Sequence, residues 1–470
     1  MPDPLATLEP IDIVDPASSE GYGLRQHVLS PLEVLAQSVS TIAPSTTPPL
    51  NIALIFVMVG EGTWLAYAIA MVVMLVMALC IAEFARDSAS PGSLYVYTRQ
   101  TLPPVFSVIG AWALFFAYVL TASSVTAGFI YFSYFFLGSW GPHVPGILLA
   151  AICLGVSALV AYRDIKISTQ AMLWIELISV ALIAVVVAIL LWKHGLHIDL
   201  PQWKLTGVTV VHLRQGVMLA LFSFVGFESA TTLGSEAREP LKTIPRAVIR
   251  SAFLAGVFFI LCAYGEVLGF RGATTDLGAS KAPMQFLADR AGIGFVAPLI
   301  NFGVLVSMFA AALGCVIAAA RVLLLMAHYG LAHKSLAVTH AEKETPSTAG
   351  VLTALLAFAP VAILALRHSP PDEVLGWLGT LSVYGFMTAY GLVAVALPVH
   401  LHKTGRLSIG GILLSVLGAC AAIAAIVGTI YPVPEAPYNY LPYIYLAYMV
   451  SGIAYWAVTV KKSPANSLSS

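Results

Sequence analysis

The sequence predicts an all-α membrane protein with twelve transmembrane helices. The chain has 470 residues, of which 59% are hydrophobic and 10% are charged, whereas soluble domains carry about 25% charged residues. Its mean hydropathy is +0.89. The apolar residues form runs long enough to cross a bilayer as helices, roughly 20 residues each, and they alternate too little for barrel strands. A lipid bilayer is therefore the first partner that the sequence predicts.

Twelve such runs are separated by charged residues, prolines and glycines. They cover about residues 33–59, 62–85, 104–137, 145–162, 167–192, 212–235, 245–270, 294–327, 347–366, 373–399, 408–430 and 440–460. The segments between the runs are too short to bury a core of their own. We therefore expect two tails, residues 1–30 and 463–470, around a core of residues 31–400 and two accessory helices in residues 401–462.

The distribution of lysine and arginine predicts the orientation of the chain. Twelve spans place both termini on one side of the membrane, and 16 of the 23 basic residues fall on that side. Basic residues accumulate in cytoplasmic loops. The sequence thus predicts a multi-pass protein of the cell membrane with both termini in the cytoplasm.

Several classes of function find no support in the composition. The formal net charge is zero, which gives no reason to expect a nucleic-acid partner. The five cysteines lie inside apolar runs and the eleven histidines lie in loops or at span ends, so we expect no metal site. Because no HExxH or phosphate-binding loop is present, we expect neither a cofactor nor an enzymatic activity. The oligomeric state is left open.

Two of the predicted spans are interrupted. The first contains Pro44, Pro48 and Pro49 within six residues, and each proline removes a backbone donor and clashes with the preceding turn. The sixth contains Gly226 and Glu228 among hydroxyl residues. Paired interruptions in corresponding helices indicate a transporter site, although a structural kink is an alternative for the first. Their spacing of five spans predicts two inverted five-helix repeats, about residues 31–192 and 212–399.

Three segments resemble one protein family. The sixth span reads SFVGFE from Ser223 and continues as EAREPLKTIPRA from Glu236, which is similar to the sixth-helix signature of the amino acid–polyamine–organocation superfamily. The segments PGSLYVY from Pro91 and RVLLLMA from Arg321 resemble further motifs of that family. The resemblance covers about residues 25–400 and identifies the chain as a member, an amino acid permease.

The resemblance implies a leucine-transporter-type fold, in which unwound backbone of the first and sixth helices holds the carboxylate and amine of the substrate. The residues carried over as substrate-binding are Ala43, Pro44, Ser45, Thr46, Phe222, Ser223, Val225 and Gly226. Phe222 matches a gating aromatic of the family, with ordinary packing as the alternative. The chain departs from the family at Ala43-Pro44-Ser45, where glycines are usual, and at His328-Tyr329-Gly330, where the family often has Arg-Asp-Gly.

Two carboxylic residues lie deep in the spans, Glu176 in the fifth and Glu228 in the sixth. Proton-coupled relatives place a lysine in the fifth helix at about the position of Glu176. A carboxyl group buried among apolar helices is favoured in its neutral form, so both residues are candidates for proton coupling, with Ser307 of the eighth span as a neighbour of Glu176. The alternative is a structural acid that hydrogen-bonds to a neighbouring helix.

The expected function is that of a secondary active transporter, which moves an amino acid across the membrane by alternating access as a proton-coupled symporter or exchanger. A carrier of polyamines, amines or other organocations and a transporter-like nutrient sensor are the alternatives. The sequence provides no clear extra charge for a substrate side chain, which favours a neutral amino acid as the small-molecule substrate.

The predicted orientation is tested by labelling with a membrane-impermeant thiol reagent. Cysteines introduced by Thr275→Cys and Ser369→Cys should react from outside the cell, because both loops are predicted to be external. Cysteines introduced by Ser335→Cys and Ser408→Cys should react only after the membrane is permeabilised. The reverse pattern would show that the termini are external.

Overall fold

The computed structural model describes residues 22–163, 165–195, 197–340, 344–431 and 433–461, without the side chains of residues 139, 142, 163–172 and 459–461. Most of the two predicted tails therefore lies outside the described residues. Within these residues all regular structure is helical, apart from an isolated bridge between Leu29 and Ala237. This confirms the all-α fold.

In the described part of the first half of the chain there are eight α-helices. They are α1 (Pro31–Ile42), α2 (Ile52–Val59), α3 (Thr63–Ala85), α4 (Ser93–Arg99), α5 (Pro104–Leu137), α6 (Gly146–Arg163), α7 (Ile165–Lys193) and α8 (Leu200–Trp203). The helix α1 begins with a capping box, in which the Ser30 hydroxyl accepts from the Glu33 N–H and the Glu33 carboxylate accepts from the Ser30 N–H.

The residues described after α8 form a further eight α-helices. They are α9 (Val210–Phe222), α10 (Pro240–Gly269), α11 (Pro283–Ala291), α12 (Ala297–His328), α13 (Ser347–Leu366), α14 (Pro371–Lys403), α15 (Ile409–Ile430) and α16 (Leu441–Lys461).

Among the described residues, ten helical segments are long and apolar enough to cross a membrane. One of them, Pro31–Ala85, runs for 55 residues and includes α1, α2 and α3, whereas Gly146–Tyr162 is a shorter apolar helix. A multi-pass membrane protein is thus confirmed, and the count of twelve spans stays a prediction.

The centre of the bundle is formed by α5, α12 and α14, whose residues are mostly buried, whereas α15 and α16 expose most of their surface. The helices α5 and α14 approach closely at Gly385, where a Cβ atom would lie 2.5 Å from the Ala113 carbonyl oxygen. The helix α12 of this centre contacts both α1 and the residues after α9, and so does the neighbouring helix α10. These contacts hold the two segments in place.

Candidate functional site

The first interruption lies between α1 and α2. The helix α1 ends at Ala43, whose φ of +50° is a left-handed conformation that non-glycine residues seldom adopt. A 3-10 turn (Pro44–Thr46) and a π turn (Thr47–Asn51) follow before α2 begins. The Thr46 hydroxyl donates to the Ala43 carbonyl oxygen at 2.7 Å. The Ala43 carbonyl also accepts from the Thr46 N–H, so backbone and side chain of Thr46 together satisfy it at the interruption.

The second interruption follows α9 and is centred on Gly226. This residue has a φ of +95°, and a 3-10 helix (Phe227–Leu233) begins directly after it. A Cβ atom at Gly226 would lie 2.5 Å from Cγ2 of Thr41 in α1. Glycine is therefore required twice, for the backbone conformation and for the close approach of the two interrupted helices.

Hydrogen bonds join the two interruptions directly. The Ser38 hydroxyl donates to the Phe227 carbonyl oxygen at 2.6 Å, and the Ser229 hydroxyl donates to Thr41 Oγ1 at 3.0 Å. At the end of the first interruption, Asn51 Nδ2 donates to Oγ of Ser223, which precedes Gly226, at 3.1 Å. These contacts satisfy polar groups that hydrocarbon would leave unpaired, and they fix the two breaks side by side.

A cavity of about 30 Å³ lies between the two breaks. Its lining residues come from both interruptions and from α5, α12 and α14; they are Thr41, Ile42, Thr46, Thr47, Asn51, Thr121, Val125, Phe222, Ser223, Val225, Met308 and Leu375. None of these side chains is charged. One water molecule needs roughly 10–15 Å³ of such space, so the cavity has room for water but is too narrow for an amino acid.

Two hydroxyl groups of this lining have no hydrogen-bond partner among the described residues. They belong to Thr47 in the first interruption and Thr121 in α5, and both are buried. A buried polar group without a partner is unfavourable. The two groups can therefore donate to, or accept from, a polar ligand in an enlarged cavity.

Glu176 lies beside the first interruption and is 1% exposed. Its Oε1 accepts a hydrogen bond from the Ser45 N–H at 2.7 Å, and its Oε2 accepts one from the Ser307 hydroxyl of α12. The carboxyl group of α7 thus joins three helices at the point where α1 is broken. The structure brings Glu176, Ser45 and Ser307 together, and the sequence analysis had named Ser307 as a neighbour of Glu176.

Glu228 lies on another side of the sixth-span break and has different partners. The Tyr118 hydroxyl of α5 donates to its Oε1 at 2.7 Å, and the Tyr390 hydroxyl of α14 donates to its Oε2. Its side chain is fully buried and is absent from the cavity lining. The geometry is that of an acid held between the 3-10 helix and the central helices.

The end of the bundle that carries residue 22, here called the N-terminal side, is closed by several contacts. Arg321 of α12 donates its Nε–H to Glu236 at 3.0 Å, and both side chains are at most 3% exposed. Residues 27–29 pair with residues 235–238 through backbone hydrogen bonds. The guanidinium of Arg99 lies 3.6 Å from the ring centre of Tyr329, a cation–π contact beside the position where the family often has an aspartate.

The opposite side is closed by a more exposed cluster. Arg271 donates to Glu61 at 2.6 Å and to Asp199 at 2.7 Å. The hydrogen bonds that Arg271 donates, to Glu61 above all and also to Asp199, raise its pKa against the opposing effect of partial burial. This cluster ties the turn after α2 to the end of α10 and to the loop before α8.

Four of the eight predicted substrate-binding residues line the cavity: Thr46, Phe222, Ser223 and Val225. The other four adjoin it, since Ser45 follows Ala43 and Pro44 in the first break and contacts Glu176, while Gly226 packs on Thr41. Their role in binding stays a prediction.

Sequence reasoning missed the lining residues outside the two motifs, among them Thr121, Val125, Met308 and Leu375. Of these four, only Thr121 could have been found from the sequence, because it is a hydroxyl residue within an apolar span. The other three are apolar residues in apolar helices, and only the packing of α5, α12 and α14 places them in the cavity lining.

Comparison with known proteins agrees with this architecture. The family model described as "Amino acid permease" matches residues 30–457. The chain is 26% identical over 370 residues to a branched-chain amino acid permease of Bacillus subtilis, covering 73% of this chain and 74% of that protein. It is 22% identical over 305 residues to a low-affinity putrescine importer of Escherichia coli K12, covering 63% and 66%.

Among solved structures, a manganese transporter mutant from Eremococcus coleocola is similar, with a TM-score of 0.54 and 12% identity. The match covers 94% of this chain and 98% of that chain. At this identity the likeness concerns the fold alone. The family match over nearly the whole chain, together with the motifs around Gly226, shows that this protein belongs to the amino acid permease family of the amino acid–polyamine–organocation superfamily.

Proposed function

We propose that the protein is a secondary active transporter that moves a neutral amino acid across the cell membrane by alternating access. The observation that carries this proposal is the cavity between two interrupted helices, lined by hydroxyl, amide and apolar side chains without a charge. The α-carboxylate and α-amine of an amino acid are well matched by exposed backbone N–H and C=O groups at helix breaks. An uncharged lining then suits an uncharged side chain.

The same proposal includes the finer architecture. Pro31–Ala85 would cross twice by turning at Gly60–Gly62, and Gly146–Arg163 would form a further crossing, which gives twelve spans. Spans one to five and six to ten would be the leucine-transporter-type inverted repeats of a core at residues 31–400, with accessory helices in residues 401–462. The excess of basic residues supports cytoplasmic termini.

A carrier of amines is the second candidate, and the likeness to a putrescine importer favours it. A diamine carries two positive charges, and carboxylates are the groups that pair with them. The cavity lining contains none among the described residues, since Glu176 and Glu228 both lie outside it. The geometry therefore favours the neutral amino acid.

Uptake into proteoliposomes tests the proposed substrate class. With purified protein and a proton gradient, radiolabelled L-leucine, L-valine and L-alanine should accumulate, whereas putrescine and L-lysine should not. Substrate-induced thermal stabilisation is measured in parallel, since ligand at 100 times its Kd adds about 2.7 kcal/mol to the stability of the folded state. Stabilisation without uptake would identify a sensor, and uptake of putrescine would identify an amine carrier.

The proposed position of the substrate site is tested by substituting Gly226. A Gly226→Leu protein should bind no substrate, because the new side chain enters the contact with Thr41 and the left-handed backbone costs about 1–2 kcal/mol with a Cβ atom. Binding is measured by scintillation proximity with radiolabelled L-leucine. Gly207→Leu is the matched control, since Gly207 also has a positive φ, of +78°, but no atom lies within 4 Å of its Cβ position. Normal uptake by Gly226→Leu would refute the placement.

The proton coupling is proposed to reside at Glu176. In Glu176→Gln the amide oxygen still accepts from the Ser45 N–H, while the amide NH₂ faces the Ser307 hydroxyl, which can reverse its bond. The variant should keep substrate binding and exchange. Its net uptake should lose most of its variation between pH 5 and 8, because the side chain is fixed in a neutral state.

The control for this experiment is Glu228→Gln. Its partners are the Tyr118 and Tyr390 hydroxyl groups and not the first interruption, so it tests whether any deep acid has the same effect. An unchanged pH profile in Glu176→Gln would assign Glu176 a structural role. A flattened profile in Glu228→Gln alone would move the coupling to Glu228.

A further inference from the structure

The cavity between the two interruptions has a polar part and an apolar wall. Apart from Thr121, its polar side chains come from the interrupted first and sixth spans; they are Thr41, Thr46, Thr47, Asn51 and Ser223. The central helices add Val125, Met308 and Leu375, and Phe222 extends the apolar wall from the end of α9. Amino acids share their α-carboxylate and α-amine and differ in the side chain, so the apolar wall is the part of the lining that can distinguish them.

The ring of Phe222 packs directly against a glycine of α14. A Cβ atom at Gly379 would lie 2.5 Å from Cζ of Phe222, 2.8 Å from its Cε1 and 2.9 Å from its Cε2. Carbon atoms in contact are about 3.5–4.0 Å apart, so one added methyl group would displace the ring by roughly 1 Å. Leu375 lies one turn before Gly379 in α14 and also lines the cavity. The two residues therefore share the face of α14 that meets the apolar wall.

A second glycine, Gly128 of α5, lies behind the two remaining large side chains of the wall. A Cβ atom there would lie 2.8 Å from Cδ1 of Leu375 and 2.8 Å from both Sδ and Cε of Met308. Gly128 follows Thr121 and Val125 by seven and three residues, which places it on the face of α5 that lines the cavity. The side chains of Met308 and Leu375 thus occupy space that any other residue at Gly128 would take.

The effect of a larger residue at either position depends on where the displaced side chains can go. Phe222, Met308 and Leu375 all border the empty space of the cavity, and Met308 and Leu375 are otherwise buried. Protein interiors are packed as densely as organic crystals and contain few other voids. A side chain pushed away from its glycine therefore moves into the cavity and narrows its apolar part.

We propose that Gly128 and Gly379 determine the size of the substrate side chain that the protein accepts, although neither residue lines the cavity. The proposal rests on the proposed transport of a neutral amino acid. The two glycines leave the apolar wall as far from the centre of the cavity as the backbones of α5 and α14 allow. A branched side chain such as that of leucine then fits when the cavity enlarges, whereas alanine at either position excludes it and still admits a methyl group.

Binding of two amino acids of different size tests the role of each glycine. Gly128→Ala and Gly379→Ala should weaken the binding of L-leucine relative to L-alanine by at least about 10-fold, since one methylene in an apolar pocket changes discrimination by about 10–200-fold. Both variants should fold, because alanine favours a helix more than glycine does and the displaced atoms are the ends of flexible side chains. The Kd values are measured by scintillation proximity. An unchanged ratio in either variant would overturn the role of that glycine.

Matched controls come from glycines of the same two helices that face other neighbours. In Gly376→Ala of α14 the new Cβ would lie 2.8 Å from the Tyr438 hydroxyl, and in Gly110→Ala of α5 it would lie 3.3 Å from Thr98 Oγ1. Neither Tyr438 nor Thr98 belongs to the cavity lining. Both controls should keep the wild-type ratio of the two Kd values. An equally large change in the controls would attribute the effect to helix packing in general and overturn the proposal.

A double variant distinguishes a displaced side chain from a damaged helix. In a Met308→Ala background, the methyl group of Gly128→Ala meets one large lining side chain fewer. Because residues in contact act non-additively, the effect of Gly128→Ala on the leucine-to-alanine ratio should be at least about threefold smaller in this background. An equal effect in both backgrounds would overturn the displacement of Met308.

A measurement without substrate separates this proposal from the proposed function. Val125→Cys places a thiol in the cavity wall, and its modification by methyl or benzyl methanethiosulfonate is followed by mass spectrometry of the peptide that contains it. Added to this variant, Gly128→Ala or Gly379→Ala should slow the benzyl reagent and leave the methyl reagent unaffected. If no amino acid binds but the benzyl reagent is slowed, the control of cavity size stands and the proposed substrate falls. If L-leucine binds and neither its ratio to L-alanine nor the labelling changes, the transport proposal stands and the role of the glycines falls.

Discussion

The need to satisfy backbone polar groups where two helices are broken inside the membrane governs the rest of this structure. Hydrocarbon offers no hydrogen bonds, so the groups freed at Ala43 and Gly226 must find partners in the protein. The hydroxyl groups of Ser38 and Thr46 and the carboxylate of Glu176 supply them. Because these partners come from different helices, meeting the constraint also assembles the cavity.

Much of this arrangement follows from sequence patterns that act locally. Three prolines in six residues predict the first break, and a glycine with a carboxylate in an apolar span predicts the second. Ser307 of the eighth span was named from the sequence as a neighbour of Glu176, at a position found through the family resemblance. Apolar length alone predicts the helices, since each span has one choice of hydrogen-bonding pattern in lipid.

The parts that sequence reasoning missed depend on packing between distant segments. Met308 and Leu375 are apolar residues in apolar spans, and their place in the cavity wall is set by how α12 and α14 pack against α5. Where the chain departs from the family motif at Tyr329, the aromatic ring contacts the guanidinium of Arg99, which only the folded structure brings together.

The contacts on the two sides of the cavity differ in how exposed their charged side chains are. On the N-terminal side, Arg321 and Glu236 are at most 3% exposed, whereas Arg271 on the opposite side is 35% exposed. Separating a buried pair leaves two charges that water must reach, but the opposite cluster is already partly hydrated, which weakens each of its ion pairs. Opening on the opposite side therefore requires less new solvation. Opening on the N-terminal side requires water to enter between α12 and the end of the sixth-span break, and the backbone pairing of residues 27–29 must separate with it.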